Sequence, residues 1–409
     1  MSSLFFMKIL LNILIIPIFL ILNFFFFNTY SSKQVEKITP QDSITYATIR
    51  IVGDLMCHST QFNYAKVNAD SFDFTGIYRE VKNYLSDADL TIGNLETVTA
   101  GNSKPYSGYP FFNAPDEFIY ALKDAGFNLL VTANNHAIDQ GEKGVTRTIE
   151  QIVKNGMNYS GTAKNQSDKD SIRIFDLNGI RIALLAYTEN TNGISIPKGK
   201  EYLVNLIKAD SVSNDINKAR YKGAEIVLVQ FHYGEEYKRE PNTYQKQTVD
   251  SIISYGADII IGSHPHAIQP LKYFKTENAK LDTGLIAYSM GNFISNQRWR
   301  YSDAGVILSI TLAKNILTDS VYISDVEYLP TWVFKGEING KKEYMILPED
   351  STKADSVYTY FSKKDLKDMK QAFADTKEII TKYTGKVKLS EPVQFVQKML
   401  QDSLAIQQR

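Results

Sequence analysis

The five histidines of this sequence are its clearest candidates for metal chemistry. They share one kind of position, at or just after the end of an apolar, strand-like run: His58, His136, His232, His264 and His266. A single buried histidine is typical of a structural role, but unrelated core histidines have no reason to share such positions. Carboxylates and amides stand beside them, namely Asp54, Glu96, Asn135 and Asp139. Imidazole nitrogens with these oxygens favour one or two divalent ions of Mn, Zn or Fe over calcium.

The elements that must position these residues alternate along the chain. Apolar runs predict strands at 47–52, 90–92, 128–132, 180–186, 225–231, 258–261 and 285–288. Helices are predicted between them, at about 116–125, from just after His136 to about 155, and at about 244–255. Continuous apolar strands separated by helices are what a sheet buried on both faces requires. We therefore predict an α/β fold with one polar pocket at the carboxyl edge of a sheet.

The pattern changes after residue 329, which predicts a main domain at 47–329 and a small α+β extension at 330–409. A β-hairpin is predicted at 328–345, turning at Asn339 and Gly340. Ser362, with Asp365 three residues later, predicts the start of a helix, and another helix is predicted at 390–408. This extension shows no residues suited to chemistry, so we expect it to pack against the main domain.

The first residues differ in composition from everything after them. Residues 9–27 are nearly all Ile, Leu and Phe, about the length that crosses the hydrocarbon core of a bilayer. We expect residues 1–30 to be either an uncleaved membrane anchor or a signal peptide, for which Thr29 and Ser31 offer small residues at a cleavage site. Residues 31–46 are polar and are predicted to be a linker. In both cases the body is expected outside the cytoplasm: anchored in the cell membrane, or secreted or periplasmic.

Composition argues against two classes of protein. The 45 Lys and Arg residues balance the 45 Asp and Glu residues, and the basic residues form no stripe, so nucleic acid is not an expected partner. The single cysteine, Cys57, cannot form an internal disulfide and is expected to be buried filler. The fold must therefore be stabilised by packing alone.

Short motifs follow the predicted strands in a fixed order. They are Gly53-Asp54-Leu55-Met56, Gly93-Asn94-Leu95-Glu96, Asn134-Asn135-His136-Ala137-Ile138-Asp139-Gln140-Gly141, His232-Tyr233-Gly234-Glu235-Glu236-Tyr237, Gly262-Ser263-His264-Pro265-His266 and Tyr288-Ser289-Met290-Gly291-Asn292-Phe293. In this order they resemble the capsule-synthesis family typified by poly-γ-glutamate capsule protein A, a branch of the calcineurin-like metallophosphoesterase superfamily. The resemblance runs from about residue 49 to about 293, and more weakly to about 328. It implies a four-layer αββα sandwich.

The resemblance also implies roles for individual residues. In that superfamily, two metal ions activate water for attack on phosphorus and hold the phosphoryl oxygens. The implied ligands are Asp54 and His266 for the first ion, and Asn135, His232 and His264 for the second. His136 is then the general acid for the leaving group, and Asp139 orients its imidazole. The alternative for Asp139 is a carboxylate in the first turn of a helix.

Two departures from the phosphoesterase pattern of the parent superfamily affect the expected chemistry. Met56 occupies the place of a histidine ligand, and a thioether is a poor ligand for hard divalent ions. His58 is a candidate substitute, because alternate residues share one face of an extended segment. Asn94 occupies the place of a bridging aspartate, so Glu96, with its longer side chain, is the preferred carboxylate. Phosphate ester hydrolysis therefore does not follow from the resemblance alone.

Residues within or just after two of the motifs are candidates for substrate binding, and they are Glu236, Tyr237, Lys238, Arg239 and Asn292. Solvated loop charges explain Lys238 and Arg239 equally well, and Asn292 either supports a ligand or is a turn residue. The expected function is an exported, metal-dependent hydrolase that acts on an anionic cell-surface polymer of the poly-γ-glutamate type, or on its precursor, in a membrane synthase complex. The alternative is a non-catalytic subunit that binds the polymer or the synthase.

Overall fold

Two β-sheets form the body of the protein in the computed structural model, which describes residues 43–350, 360–385 and 387–390. The strands are β1 (Ile44–Leu55), β2 (Leu90–Leu95), β3 (Leu129–Val131), β4 (Asn158–Ser160), β5 (Ile174–Leu177), β6 (Ile180–Thr188), β7 (Ile226–His232), β8 (Ile259–Ser263), β9 (Leu271–Lys275), β10 (Thr283–Ala287), β11 (Asn292–Ile294), β12 (Ala304–Asn315), β13 (Ser320–Ile338), β14 (Lys341–Pro348) and β15 (Lys388–Leu389). The α-helices are α1 (Ser59–Ala65), α2 (Thr75–Tyr78), α3 (Lys82–Ser86), α4 (Glu117–Asp124), α5 (Gly141–Lys154), α6 (Gln166–Asp170), α7 (Ala209–Tyr221), α8 (Thr243–Ser254) and α9 (Lys363–Thr381).

The strand order brings the predicted motifs to one edge of each sheet. The large sheet has nine strands in the order β14-β13-β12-β1-β2-β3-β4, with β11 beside β1 and β15 beside β13. The small sheet has six, in the order β5-β6-β7-β8-β10-β9. Strands β1 to β4 are parallel to one another, and so are β6, β7, β8 and β10. The carboxyl ends within each of these groups therefore lie at the same edge.

The two sheets pack face to face, and helices cover their outer faces. Ile51 of the large sheet and Leu228 of the small sheet belong to the apolar core between the sheets. Phe118 of α4 and Ile149 of α5 pack on the outer side of the large sheet, and Ile216 of α7 packs on the outer side of the small one. Burial of each such side chain contributes about 1.5–3 kcal/mol to stability. The layers confirm the predicted αββα sandwich.

The segment after β10 crosses from the small sheet to the large one and holds the carboxyl ends of β1 and β8. An added Cβ at Gly53 would lie 1.9 Å from the carbonyl oxygen of Gly291, and one at Gly262 would lie 1.9 Å from that of Tyr288. The backbone N–H of Asp54 donates to the carbonyl oxygen of Gly291 at 2.9 Å. Only glycine permits this close approach of backbones, which fixes the strand ends that carry the motifs.

Replacing Gly53 by alanine is therefore expected to destabilise the protein by about 3 kcal/mol, because the new methyl group meets backbone atoms that cannot turn aside. Chemical denaturation followed by circular dichroism measures the change. Gly76→Ala in α2 is the matched control, since no atom lies within 4 Å of its added Cβ. A similar stability for Gly53→Ala and Gly76→Ala would contradict the prediction.

The C-terminal part of the described chain extends the large sheet. The boundary predicted at residue 329 falls inside β13, because β13 pairs with β12 and continues the same sheet. The hairpin from β13 to β14 turns at Asn339 and Gly340, as predicted, and α9 follows Ser362, whose side chain accepts a hydrogen bond from the N–H of Asp365. Helix α9 packs on the hairpin through an apolar cluster that includes Trp332 and Phe373.

Three other predicted segments either differ from the structure or lie outside the described residues. Strand β1 begins at Ile44, so the last residues of the predicted linker at 31–46 belong to a strand that pairs with β12. The predicted anchor or signal peptide at 1–30, and nearly all of the helix predicted at 390–408, lie outside the described residues. Among the residues that are described, none of the helices is both long enough and apolar enough to cross a membrane.

Candidate metal centre

Side chains from five separate strand ends meet where the two sheets face each other. The large sheet contributes Asp54 from β1, Glu96 from just after β2 and Asn135 from after β3. The small sheet contributes His232, the last residue of β7, and the two histidines after β8. All of the large-sheet side chains named here are buried, as is His232.

Two groups of potential ligands share one carboxylate. Asp54, Glu96 and His266 form the first group, and Glu96, His232 and His264 form the second. Within each group, the candidate ligand atoms lie within 4.8 Å of one another. The Oε1 atom of Glu96 lies 3.4 Å from Nε2 of His232 and 3.8 Å from Nε2 of His266. Glu96 is therefore the carboxylate placed between both groups. This is the bridging position for which its longer side chain made it the preferred carboxylate.

The turn after β8 holds both of its histidines in an uncommon backbone conformation. His264 has φ of 96° and His266 has φ of 54°, with Pro265 between them. The left-handed region is unfavourable for residues with a Cβ, at a cost of about 1–3 kcal/mol each, and such residues cluster at functional sites. This turn directs the two imidazoles to the same cluster, with ring centres 6.0 Å apart.

Asn94 acts as a hydrogen-bond donor and not as a bridging acceptor. Its Nδ2 donates to Oδ1 of Asp54 at 2.7 Å and lies 3.1 Å from Nδ1 of His232. The amide therefore links a ligand of the first group to a ligand of the second. Asn135 approaches the other side of the same imidazole, with its Oδ1 2.9 Å from Nε2 of His232.

Asn292 contacts the Nδ1 side of His266. Its Oδ1 lies 3.0 Å from Nδ1 of His266, and Oδ2 of Asp54 lies 3.1 Å from the same nitrogen. The Nδ2 of Asn292 donates to Oε1 of Gln297 and to the carbonyl oxygen of Ser302. Because both neighbours of Nδ1 are oxygens, this nitrogen carries a proton and Nε2 is left to face Glu96.

Burial and mutual charge shift the pKa values of the cluster. Burial, together with the Asp54 carboxylate, raises the pKa of Glu96 to about 8. Burial lowers the pKa of His232 to about 3 and that of His264 well below its usual value. Burial acts against the charge on His266 as well, but the carboxylates of Glu96 and Asp54 outweigh it and raise its pKa to about 9. These shifts are typical of functional sites.

The donor set fits a divalent cation. Both carboxylate oxygens of Glu96 and Oδ1 of Asn94 are buried and make no hydrogen bond within the described residues. A buried polar atom without a partner costs about 1–3 kcal/mol, and more if it is charged. A cation would satisfy the two oxygens of Glu96, and the surrounding imidazoles and carboxylates are ligands that Mn, Zn and Fe accept. The residues that would hold it are Asp54, Glu96, Asn135, His232, His264 and His266.

Metal affinity is expected to increase at least tenfold between pH 6.5 and pH 8.5. At the lower pH both the Glu96 carboxyl and Nε2 of His266 are protonated in the metal-free protein, because the pKa values of these groups are raised to about 8 and about 9. An ion bound to these groups must displace the protons, so binding is weaker where they are protonated. Isothermal titration with Mn²⁺ in buffers of different ionisation enthalpy measures both the affinity and the protons released. An affinity independent of pH would contradict this expectation.

His136 and Asp139 form a pair at the rim of the cluster. Nδ1 of His136 lies 2.8 Å from Oδ2 of Asp139, which also accepts the backbone N–H of Phe112 at 2.7 Å. The edge-on ring of Phe112 packs against the imidazole, with centres 4.7 Å apart. Helix α5 begins only at Gly141, so Asp139 precedes the helix and is not a first-turn carboxylate. The Asp139 carboxylate instead lies where it can orient the imidazole of His136.

Asn192, a residue not predicted from the sequence, connects this pair to the cluster. Its Nδ2 lies 3.5 Å from Nε2 of His136, and its Oδ1 accepts a hydrogen bond from Nδ2 of Asn135 at 3.2 Å. Asn192 follows β6, whose carboxyl end lies beside that of β7. The residues after the predicted strand at 180–186 could therefore have been considered on the same grounds as His232.

Met56 and His58 lie next to the cluster but belong to neither ligand group. Met56 is buried, and its sulfur accepts a hydrogen bond from Ser295. Nδ1 of His58 lies 3.2 Å from Oε1 of Gln61 and accepts the N–H of Asn296. Strand β1 ends at Leu55, so the extended segment that would have aligned His58 with Asp54 does not continue, and the structure does not bring His58 to the ligands.

The candidate substrate residues after His232 have different surroundings. Tyr237 lies beside the cluster, with its ring centre 6.0 Å from that of His266, and Glu236 next to it is exposed. Lys238 forms an exposed ion pair with Glu235. Arg239 is directed to α9, where it donates to the carbonyl oxygen of Asp375 at 2.6 Å. The structure therefore brings Tyr237 to the cluster and holds Arg239 on a neighbouring helix.

Comparison with known proteins agrees with the motifs. The sequence model of the family described as "Bacterial capsule synthesis protein PGA_cap" matches residues 48–297. Capsule biosynthesis protein CapA of Bacillus anthracis is 30% identical over 327 residues, covering 78% of this chain and 76% of that protein. PGA biosynthesis protein CapA of Bacillus subtilis (strain 168) is 29% identical over 313 residues, covering 73% of this chain and 76% of that protein.

Among solved structures, the calcineurin-like phosphoesterase YfkN from Bacillus subtilis aligns with 70% of this chain and 90% of its own, at 13% identity and a TM-score of 0.38. The family match extends from β1 to the segment after β11 and so contains every ligand of both groups. It spans more than half of the chain. The chain belongs to the bacterial capsule synthesis protein family, PGA_cap.

Proposed function

We propose that this protein is an exported, metal-dependent hydrolase that acts during the assembly of an anionic cell-surface polymer of the poly-γ-glutamate type. The single observation that carries the proposal is the buried Glu96 carboxylate, which lies between two groups of ligands and lacks hydrogen-bond partners among the described residues. The names of the two relatives support the pathway, since both are capsule or PGA biosynthesis proteins. The apolar run at 9–27 supports export, with the body either tethered to the membrane or released.

Different residues of this chain would bind the ion, position its ligands and transfer a proton. A divalent ion in the centre would supply a Lewis acid for the bond under attack and for the activation of water. Asn292 and Asp54 hold His266 in place, and Asn94 holds Asp54. Asp139 accepts the Nδ1 proton of His136, so Nε2 is the atom that would carry a proton to a leaving group.

The proposal is tested with full-length protein purified in detergent. Phosphate esters and γ-glutamyl amides are assayed with Mn²⁺, Zn²⁺ or Mg²⁺ and with a chelator. Turnover of either class that needs the metal is the expected result. If neither class is turned over, and if the wild type equals His136→Ala, the hydrolase is excluded.

A second candidate function is a non-catalytic subunit that binds the polymer or a membrane synthase. Met56 and Asn94 favour it, because neither side chain provides the ligand that phosphoesterases have at its position, and a weakened centre can persist as a binding site. Complementation of a strain that lacks the gene separates the two functions. Full restoration of surface polymer by folded His136→Ala and His264→Ala variants would support the binding subunit, and loss of polymer would support catalysis.

A further inference from the structure

The loop after β6 places one exposed side chain, that of Asn192, against two buried residues of the site. Oδ1 of Asn192 accepts a hydrogen bond from Nδ2 of Asn135 at 3.2 Å. Nδ2 of Asn192 lies 3.5 Å from Nε2 of His136. Because Asn135 and His136 are buried and Asn192 is exposed, the amide of Asn192 lies on the solvent side of both. A substrate that approaches His136 from solvent would therefore meet this amide.

Hydrogen bonds within the loop hold Asn192 in place. The N–H of Asn192 donates to Oδ1 of Asn190 at 3.0 Å, and the N–H of Ile194 donates to the carbonyl oxygen of Thr191 at 2.9 Å. The Thr191 hydroxyl donates in return to the carbonyl oxygen of Ile194 at 2.7 Å. Asn192 has φ of 51°, in the left-handed region that asparagine tolerates better than most residues. The loop is thus closed by its own hydrogen bonds, which fix the direction of the Asn192 side chain.

The left-handed backbone by itself accounts for an asparagine, but not for its contacts. Asn178 and Asn339 have nearly the same φ values, 54° and 53°, in the turns from β5 to β6 and from β13 to β14. The side chain of Asn178 donates to the carbonyl oxygen of Tyr46, a backbone contact typical of a turn residue. At Asn192, by contrast, both polar atoms of the amide face residues of the candidate site.

The contacts decide which atom of the Asn192 amide faces His136. Nδ2 of Asn135 can only donate, so the atom of Asn192 that it contacts is the acceptor, Oδ1. The donor Nδ2 of Asn192 is then directed to Nε2 of His136. Because Asp139 accepts the Nδ1 proton of His136, Nε2 is the atom that would give a proton to a leaving group. The amide of Asn192 and Nε2 of His136 therefore border the same space.

A carboxamide suits the leaving group of either substrate class of the proposed function. Water adds to the attacked centre, the bond to the leaving atom breaks, and its electron pair takes the proton from Nε2 of His136. The proton that the water loses then restores His136. An oxygen leaving atom has a second lone pair that can accept from Nδ2 of Asn192. A nitrogen leaving atom keeps an N–H that can donate to Oδ1 of Asn192.

We propose that the amide of Asn192 contacts the leaving group together with Nε2 of His136, as a further catalytic residue. This inference rests on the proposed function and adds to it the group that stabilises the departing atom. If the wild type turns over neither esters nor amides, the proposed function fails and this inference fails with it. Turnover that does not depend on Asn192 would remove this inference alone.

Substrates with graded leaving groups provide the test. Full-length protein in detergent with Mn²⁺ is assayed on p-nitrophenyl, phenyl and methyl phosphate, and on the p-nitroanilide, anilide and methylamide of γ-glutamate. The nitro-substituted groups depart with little help, whereas methoxide and methylamine need a proton and a hydrogen bond. Asn192→Gly should therefore lower kcat about 10- to 100-fold on the methyl substrate of the class that is turned over, and much less on the nitro substrate. A loss of equal size across the series, or no loss, overturns the inference.

Further variants separate contact with the leaving group from a structural effect. Glycine adopts a left-handed backbone freely, so Asn192→Gly should fold. Asn339→Gly is the matched control, because it makes the same change at another left-handed position and should keep the wild-type kcat. Asn192→Asp keeps an acceptor but has no N–H, so it should resemble Asn192→Gly on esters and should lose less on amides. Wild-type activity of Asn192→Asp on esters, or equal losses in Asn192→Gly and Asn339→Gly, overturns the assignment.

Metal binding gives a readout that does not depend on turnover. The increase in melting temperature with Mn²⁺ should persist in Asn192→Gly, because Oδ1 of Asn135 still contacts Nε2 of His232 at 2.9 Å. If this increase is lost, Asn192 acts by holding Asn135 at the metal centre, and the assignment to the leaving group is overturned.

Discussion

Replacing Glu96 by glutamine is expected to remove the stabilisation that a divalent ion confers, while leaving the metal-free protein nearly as stable as the wild type. At neutral pH the Glu96 carboxyl is largely protonated in the metal-free protein, because burial raises its pKa to about 8. Glutamine is then a neutral substitute of the same shape. An ion at one hundred times its dissociation constant stabilises a protein by about 2.7 kcal/mol, and this increment should disappear with the carboxylate.

Thermal unfolding with and without Mn²⁺ or Zn²⁺ measures both effects. Glu236→Gln is the matched control, because it removes an exposed carboxylate close to the same cluster and should retain the metal-induced increase in melting temperature. If Glu96→Gln shows the same increase as the wild type, Glu96 is not a ligand and the two groups do not form one centre. If the variant does not fold without metal, the account of its protonation fails.

The second large effect is expected for His136→Ala, which should lower kcat of the proposed hydrolysis about 10²- to 10⁴-fold, the range for removal of a general acid. Metal-induced stabilisation should persist, because His136 belongs to neither ligand group. Asp139→Asn should lower kcat less, since Asp139 acts only through its contact with Nδ1 of His136 at 2.8 Å. Steady-state kinetics distinguishes the two variants.

His58→Ala is the control for this series. His58 contacts the same Phe112 ring as His136, with ring centres 5.2 Å apart, but it lies outside both ligand groups. Removal of this histidine should therefore change stability more than turnover. Equal losses of activity in His58→Ala and His136→Ala would show that damage to the packing around Phe112, and not loss of a proton donor, explains both.

The fold class and the main ligands could be predicted because their signals are local. Strand β7 is buried on both faces, with Val227 and Val229 in the core beneath the helices and Leu228 in the core between the sheets, so it reads as an unbroken apolar run. Parallel strands bring their carboxyl ends to one edge, which is why a histidine after one run and an aspartate after another could be expected to meet. The capsule-synthesis resemblance, confirmed by the family match, agreed with this expectation.

Other parts of the site depended on contacts between distant residues. Strand β12 pairs with β1 although the two are more than 200 residues apart in sequence. No local sequence pattern predicted this pairing. Trp299 lies in a loop that Asn292 holds in position. The side chain of Asn292 donates a hydrogen bond to the carbonyl oxygen of Ser302 in this loop. For His58, a local pattern was misleading. Its spacing from Asp54 suggested a metal ligand, but β1 ends at Leu55, so His58 does not lie on the same face as Asp54.

By itself, the sequence determined which chemical groups stand at the ends of the strands, because hydrophobic periodicity and residue type are properties of short segments. Only the tertiary structure decided how those groups are paired. Asn94 donates a hydrogen bond to Asp54, and Glu96 lies between two sets of ligands. The ring of Tyr237 contacts that of Trp299 beside His266. The physical reason is that these relations depend on distances of a few ångströms between side chains from separate strands and loops, which are set by the packing of the two sheets.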